Sequence, residues 1–470
     1  MVEQRDDVYV GGEWVPATSG RYLEMVNPAT EQLVYRVQEP GRPEVDAAVA
    51  AAREVLESDK WPADDRAAAL FRFADELEKR DDRITEAIRN EMGAPVSRQS
   101  EVQGAVGLTR YLASLADRLT FDERREGAFR PSVIRRVPVG VVAAVVPWNA
   151  PLFLALQKAV PALLAGCPVI IKPAPETAYD SLVLAEAFEA AGLPRGLVSV
   201  LPADREIAEY LVSHPGVDKI SFTGSTATGR RVAEIAGRQF KRVTLELGGK
   251  SAGIVLPEAD FDAIMPAVVT GTTVNSGQAC SLLSRILVPR ARHDEFMAAY
   301  TAALDAVIVG DPTDEKTDLG PIVSRRQFER VLSYIELGRT EGATPAYGRR
   351  TDRPGYYVGP TVFTGVDNGM RIAQEEIFGP VICVIDYDTV GEAIAVANAS
   401  PFGLSGAVFG DPDRAVEVAM RVRAGSQTVN TAVDFDFDAP YGGFKASGTG
   451  RELGGVEGIM SFTEPLTVGV

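Results

Sequence analysis

Cysteine and histidine are scarce in this chain: 470 residues carry three cysteines and two histidines. Cys167, Cys280 and Cys383 lie far apart, which excludes a disulfide framework and suits a reducing compartment. With only His214 and His293 to add, no metal-ligand spacing exists and no metal is expected. Basic residues are also few, 48 against 65 acidic ones, and the net charge of -17 repels polyanions, so nucleic acid is not an expected partner. Long apolar runs are missing too. The most apolar stretch, residues 137–173, is cut by Pro138, Pro147, Trp148, Asn149, Gln157 and Lys158, so no segment of membrane-spanning length is expected. The amino terminus, MVEQRDDVYVGGEW, has neither a basic start nor an apolar run, and a cytoplasmic location follows as the expectation.

What the chain does have is a 46% apolar content, enough for a large core and too much length for one ordinary domain. From Pro43 to Leu119 apolar residues recur at helical spacing, as in Val45, Ala48, Val49, Ala52, Val55 and Leu56. Charged residues dominate between Phe121 and Pro138, followed by a brief alternation, the pattern of an exposed hairpin or arm. Strands and helices then alternate regularly. Strands are expected at 141–146, 168–172, 197–201, 219–222 and 243–247, with helices from Pro151, Ala178, Arg205 and Thr226 between them, which implies an open parallel sheet. A second alternation places strands at 252–256, 285–288, 381–386, 405–409 and 427–430. The last ten residues read as extended and able to join the arm.

Open parallel sheets bind ligands beyond the carboxyl ends of their strands, where loops and helix amino termini converge. The chemically unusual residues fall on that edge. Trp148 and Asn149 follow the first strand, Lys172 ends the second, Thr223, Gly224 and Ser225 follow the fourth, and Glu246 with Gly248 closes the fifth. The segment FTGSTATGRR could bring backbone N–H groups to a pyrophosphate, yet it reads equally well as a structural turn. It is not a P-loop, because Arg230 and Arg231 stand where Lys and Ser/Thr are needed, and the GKS at 249–251 lacks the leading glycine.

Of the cysteines, Cys167 and Cys383 sit in apolar surroundings and read as buried small hydrophobes. Cys280, in the small and polar NSGQACS, is the candidate nucleophile, in a segment expected to open a helix whose N–H groups lower the thiol pKa. His214 in VSHPGV and His293 in RARHDE read as surface-loop residues, so a cysteine–histidine pair is not expected. Glu246 is either a base or an ordinary buried acid satisfied by hydrogen bonds.

Six motifs occur in one order: PWNAP at 147–151, FTGS at 222–225 with a glycine four residues on, ELGGKS at 246–251, GQAC at 277–280, EEIFGP at 375–380 and PYGGFKASGTGRE at 440–452. On these the chain resembles the aldehyde dehydrogenase superfamily over nearly its whole length. The resemblance implies an α/β subunit in three parts: an open parallel Rossmann-like cofactor domain (1–119 and 139–247), a second α/β catalytic domain (248–446), and a small β arm with the C-terminal segment (120–138 and 447–470) for assembly into homodimers or homotetramers. It implies oxidation of an aldehyde to a carboxylic acid by NAD, or by NADP, through a thioester. Cys280 is similar to the nucleophile, Glu246 to the general base, Asn149 to the oxyanion donor, and Lys158 and Glu452 to residues that assist proton movement. Trp148, Lys172, Pro175, Thr223, Gly224, Ser225, Leu247, Gly248, Gln327, Glu376 and Phe378 match cofactor positions. Ala150, Leu154, Gln157, Ala279, Ser281, Phe435 and Tyr441 match the substrate tunnel.

Pro175 departs from the glutamate with which many NAD-preferring relatives bind the adenosine ribose, which leaves NADP open. No arginine falls among the tunnel positions, so a neutral aliphatic or aromatic aldehyde is expected rather than a dicarboxylate semialdehyde. The run Asp434, Asp436, Asp438 reads as a solvated loop or as an attractor of cationic aldehydes. Two other classes stay open: an enzyme that passes the acyl group to coenzyme A, against which Glu246 argues, and a binding protein that kept only the scaffold.

Overall fold

The computed structural model describes residues 2–58, 60–98, 100–349, 351–432 and 436–470. Two of its sheets carry the layout. The first has eight strands in the order Gly448–Thr449, Arg242–Glu246, Lys219–Thr223, Val142–Val145, Val169–Lys172, Val198–Val200, Asp7–Val10 and Glu13–Pro16. Its five central strands are parallel, as the alternation predicts. Both edges are antiparallel, built from the amino-terminal hairpin and from Gly448–Thr449. These edge strands are two to four residues long, too short for a readable alternation. The strands Tyr22–Asn27 and Gln32–Gln38, which form a separate three-stranded sheet with Glu3–Arg5, also escape the sequence reading.

The chain runs outward from Val142–Val145 to Val198–Val200 and then returns to place Lys219–Thr223 on the opposite side of the starting strand. That reversal opens a crevice between the ends of Val142–Val145 and Lys219–Thr223, where Trp148, Asn149 and Thr223 to Ser225 emerge. The helix Pro151–Ala165 follows directly. Proline occupies its first turn, Gly166 in a left-handed conformation ends it, and nearly every residue between is buried, Gln157 and Lys158 included.

The second sheet has seven strands: Thr344–Gly348, Thr361–Thr364, Val381–Tyr387, Arg285–Pro289, Ala252–Val255, Ser405–Phe409 and Ser426–Val429. The first two escape the sequence pattern, and Thr344–Gly348 is the antiparallel edge. Five residues separate Glu246 at the end of a strand in one sheet from Ala252 in the other. Chain continuity therefore sets the carboxyl edge of the first sheet against the amino edge of the second. Cys280 precedes the strand Arg285–Pro289, and the 375–380 loop precedes Val381–Tyr387, so both reach the same seam.

The arm is a three-stranded sheet in which Asp122–Arg125 pairs with Ser132–Pro138, and Ser132–Pro138 with Thr463–Gly469. The hairpin and the extended carboxyl terminus thus meet as expected. Residues 447–453 do not join it: Gly448–Thr449 extends the first sheet and Glu452–Leu453 pairs with Pro440–Tyr441. His293 corrects a sequence reading. It opens the helix His293–Asp305 with its ring bonded to Asp386 at 2.6 Å, rather than lying in a loop.

Candidate active site

The helix Phe261–Thr273 stops where Asn275, Ser276 and Gly277 take three successive positive φ values, 51°, 55° and 77°. Left-handed backbone costs a non-glycine residue about 1–2 kcal/mol, so the turn must be held from outside. Asn275 donates to the carbonyls of Asn149 (2.9 Å) and Gln278 (3.2 Å), and Ser276 donates to Gly320 (2.9 Å). The buried Gln278 side chain accepts from Val323 N–H at 2.9 Å. At Gly277 a Cβ would stand 2.1 Å from the carbonyl carbon of Gly379, so only glycine lets this turn press against the 375–380 loop.

Cys280 comes out of that turn half-buried and leads into a strand. No helix begins at it, which overturns the expected dipole effect. The left-handed residues have already ended the preceding helix, and the backbone after Cys280 is extending toward Arg285. Burial pushes the thiol up to about 12, with the carboxylates of Glu376 and Glu246 adding to the effect, while hydrogen bonding to Tyr441 acts the other way. At rest the sulfur is a thiol. Asn149, at the end of the first-sheet strand, points its amide across the crevice and donates to Gln278 C=O at 3.1 Å, beside Cys280.

Glu246 ends its strand in the same space. Its side chain is buried, and neither carboxyl oxygen has a hydrogen-bond partner among the described residues. Burial holds this acid well above the usual carboxylate range, and the negative Glu452 raises it further, against the smaller pull of Lys158 and Arg451. Behind it lies a satisfied cluster. The fully buried Lys158 bonds both oxygens of Glu452 (2.6 and 2.9 Å) and the hydroxyl of Thr223 (2.7 Å), and Ser221 donates to Glu452 at 2.7 Å.

Most of the predicted cofactor residues lie at the carboxyl edge of the first sheet, and Gln327, Glu376 and Phe378 face them from the second sheet's side of the seam. Ser225 caps the helix Thr226–Gln239, accepting from Thr228 N–H. The Lys172 ammonium is buried against Ala203 C=O at 3.3 Å and is pushed down to about 8 by burial, with Glu176, Asp204 and Glu39 opposing. Pro175 opens a short 3-10 turn that places Glu176 beside it. Glu376 accepts from Gly249 N–H at 3.0 Å and lies so close to Gly248 that a Cβ there would meet its carboxylate at 2.3 Å; Leu247 is buried next to it. Burial raises Glu376 to about 7. Phe378 has φ 64°, held by Gln327, whose amide donates to Ile377 C=O (3.0 Å) and Phe378 C=O (2.9 Å), and its ring meets Trp148 edge-on at 5.3 Å. A buried amine, a half-buried acid, glycine clearance and a helix amino terminus around one seam fit a dinucleotide.

One cavity of about 1150 Å³ joins the chemical groups, lined by Asn149, Glu246, Cys280 and Glu452. The predicted tunnel residues Ala150, Leu154, Gln157, Ala279, Ser281 and Tyr441 line it as well. Phe435, with Asp434, lies outside the described residues. Phe153, Phe437 and Glu101 are wall residues that the sequence reading missed. The periodicity of 101–114 marks a helix, but only packing shows that Glu101 turns inward to cap Phe153 N–H at 3.0 Å. Asp438 accepts from Tyr111 of the helix Glu101–Ser114 at 2.6 Å and Asp436 accepts from the backbone N–H of Asp438, so both have partners.

The Aldehyde dehydrogenase family model matches residues 14–468. The geranial dehydrogenase of Castellaniella defragrans is 45% identical over 462 residues, covering 97% of this chain and 96% of that one. Among solved structures, an aldehyde dehydrogenase of Mycobacterium tuberculosis complexed with NAD+ superposes with a TM-score of 0.97 at 42% identity, covering 100% of this chain and 99% of its own. A cysteine-to-alanine mutant of aldehyde dehydrogenase C from Pseudomonas syringae, with NAD+ and octanal, gives 0.94 at 39% identity, covering 98% and 96%. These likenesses run through both sheets, the seam between them and the arm, and the chain belongs to the aldehyde dehydrogenase family.

Proposed function

We propose that this protein oxidises neutral, apolar aldehydes to carboxylic acids with NAD, through a thioester on Cys280. The observation that carries the reading is the single cavity shared by Cys280, Asn149 and Glu246, three groups distant in sequence. Lys172, Ser225 and Glu376 are the side chains that would hold the dinucleotide's riboses and pyrophosphate, with Trp148, Pro175, Thr223, Gly224, Leu247, Gly248, Gln327 and Phe378 shaping its bed. When bound, NAD supplies the acceptor for the hydride that leaves the aldehyde carbon.

The chain's own residues do the rest. An ordinary thiol is only about 3% ionised at neutral pH, and burial makes Cys280 weaker still as an acid, so its proton must be taken during attack. Glu246, raised by burial, is a stronger base than a solvated carboxylate. Sulfur bonds to the aldehyde carbon as the carbonyl π pair moves to oxygen. The Asn149 amide and the Cys280 backbone N–H meet that charge. Once the carbon is oxidised a thioester remains. Glu246 passes the thiol's proton on to solvent and then takes a proton from water, the oxygen adds to the carbon, and the C–S bond breaks with its pair returning to sulfur. The Lys158–Glu452 cluster stands behind Glu246, whose proton affinity is raised first by burial and then by Glu452, with Lys158 opposing.

Among the described residues no lysine or arginine lines the cavity, so a distal carboxylate has no anchor, while Phe153, Leu154 and Phe437 offer apolar contact. Octanal and geranial are therefore the first substrates to try. Glu176 and Asp204 close to Lys172 disfavour a further phosphate on the ribose and support NAD over NADP. Turnover of an aldehyde panel with NAD and NADP separately tests the reading. Free acid with NAD and apolar aldehydes supports it; a coenzyme A thioester as the product, or no reduced nicotinamide with any aldehyde, overturns it.

The division into cofactor, catalytic and arm regions, a homodimeric or homotetrameric assembly, and a cytoplasmic location belong to the same proposal. The arm supports assembly: its outer strand Asp122–Arg125 has no further partner strand among the described residues, and Phe129, Leu466 and Val468 are exposed. No helix among the described residues is long and apolar enough to cross a membrane. Light scattering of the intact chain and of a chain ending at Ser461 tests the assembly.

A further inference from the structure

We propose that Tyr441 is a further catalytic residue: its phenol O–H donates a hydrogen bond to the Cys280 sulfur and stabilises the thiolate when it forms and again when the acid product leaves. This deepens the reading above and rests on Cys280 being the nucleophile. The sulfur needs such a donor because no helix begins at Cys280 and the nearby Glu376 and Glu246 are both acids. Among side chains, Tyr441 is the one whose contact favours the anion; the other contribution comes from the backbone of Cys280 itself.

Three features fix the phenol in place. Pro440–Tyr441 pairs antiparallel with Glu452–Leu453, so Tyr441 stands directly opposite Glu452, which Lys158 anchors. The side chain lines the same cavity as Cys280, Glu246 and Glu452, and its hydroxyl is shielded from solvent. Burial and the surrounding Cys280 and Glu246 hold the phenol's ionisation well above its ordinary range, so it keeps its proton at every pH at which a thiolate is needed. A neutral donor aimed at an anionic sulfur makes a charge-assisted bond. In deacylation, after water has added to the thioester carbon, the C–S bond breaks and its electron pair goes to sulfur, where the same O–H meets the charge.

The test is the pH dependence of alkylation by iodoacetamide in the full-length protein. Cys167 and Cys383 are fully buried, and Cys280→Ala measures their background. Tyr441→Phe keeps the ring and removes only the donor. The expected result is a midpoint about one pH unit higher, hence about tenfold slower alkylation at neutral pH, with kcat lowered and the aldehyde KM near that of the unmodified protein. Fluorotyrosine at position 441, a more acidic phenol, should move the midpoint down, which gives a second readout if the phenylalanine protein folds poorly. A midpoint unmoved by both replacements overturns the proposal. If Cys280→Ala keeps its turnover, the thioester reading itself falls; if Cys280→Ala is inactive and the midpoint does not move, only the tyrosine's role falls.

Discussion

Glu246 and Glu452 are both buried acids on the wall of one cavity, and their surroundings are opposite. Glu452 accepts from Lys158 and from Ser221, so its charge is balanced and its lone pairs are used. Glu246 accepts nothing among the described residues. A buried polar atom without a partner costs about 1–3 kcal/mol, and folded proteins rarely keep one without a use. The contrast separates a carboxylate that builds the site from one free to exchange a proton within it.

The sharpest way to break this contrast is to neutralise each acid's chemistry in turn. Glu246→Gln should lower steady-state turnover by about 10²- to 10⁴-fold, the usual worth of a general base, while a first burst of reduced nicotinamide persists because acylation outruns hydrolysis. Its stability should respond differently. An acid whose folded pKa is raised stabilises the fold most below its unfolded pKa, and that contribution is lost as pH rises toward the folded value. Thermal melts of the unmodified protein should therefore fall with rising pH above about 4.5, and part of that slope should vanish in Glu246→Gln. A variant with the full slope and full hydrolysis would make Glu246 an ordinary buried acid.

Lys158→Met attacks the other member. It leaves Glu452 buried and unpaired, a loss of about 3–5 kcal/mol that urea unfolding would read directly. A loss under 1 kcal/mol would mean that Ser221 and water suffice to hold Glu452. Asn149→Ala is the smallest of the three: about 10²- to 10³-fold in kcat with the fold intact, because the amide acts on charge that exists only in the transition state. An equal rise in KM with kcat unchanged would make it a binding residue instead.

Much of this was legible from residues alone. The five central strands of the first sheet were readable because strands buried on both faces are short apolar runs between helical patterns, and the crevice followed from their order. Cys280 stood out because its neighbours are small and polar while those of Cys167 and Cys383 are apolar. The helix expected at Cys280 was wrong for a reason that periodicity cannot show: Asn275, Ser276 and Gly277 turn left-handed, and two of them are residues that usually do not. The antiparallel edges of the first sheet were invisible because they are only two to four residues long. Distance along the chain hid Phe153, Phe437 and Glu101, which are wall residues only because the helix Glu101–Ser114 packs beside the helix Pro151–Ala165 and Phe437 packs on Tyr111 and Phe153.

The sequence by itself determined most of the parallel strands, the acidic net charge, and which residues carry chemistry, because composition and local spacing encode these. Tertiary structure alone decided that Glu246 is unpartnered while Glu452 is bonded, that the thiol is held up by burial rather than lowered by a helix, and that Tyr441 faces the sulfur. Proton affinity depends on which charges and dipoles lie within a few ångströms, and only the folded chain brings residue 441 to residue 280.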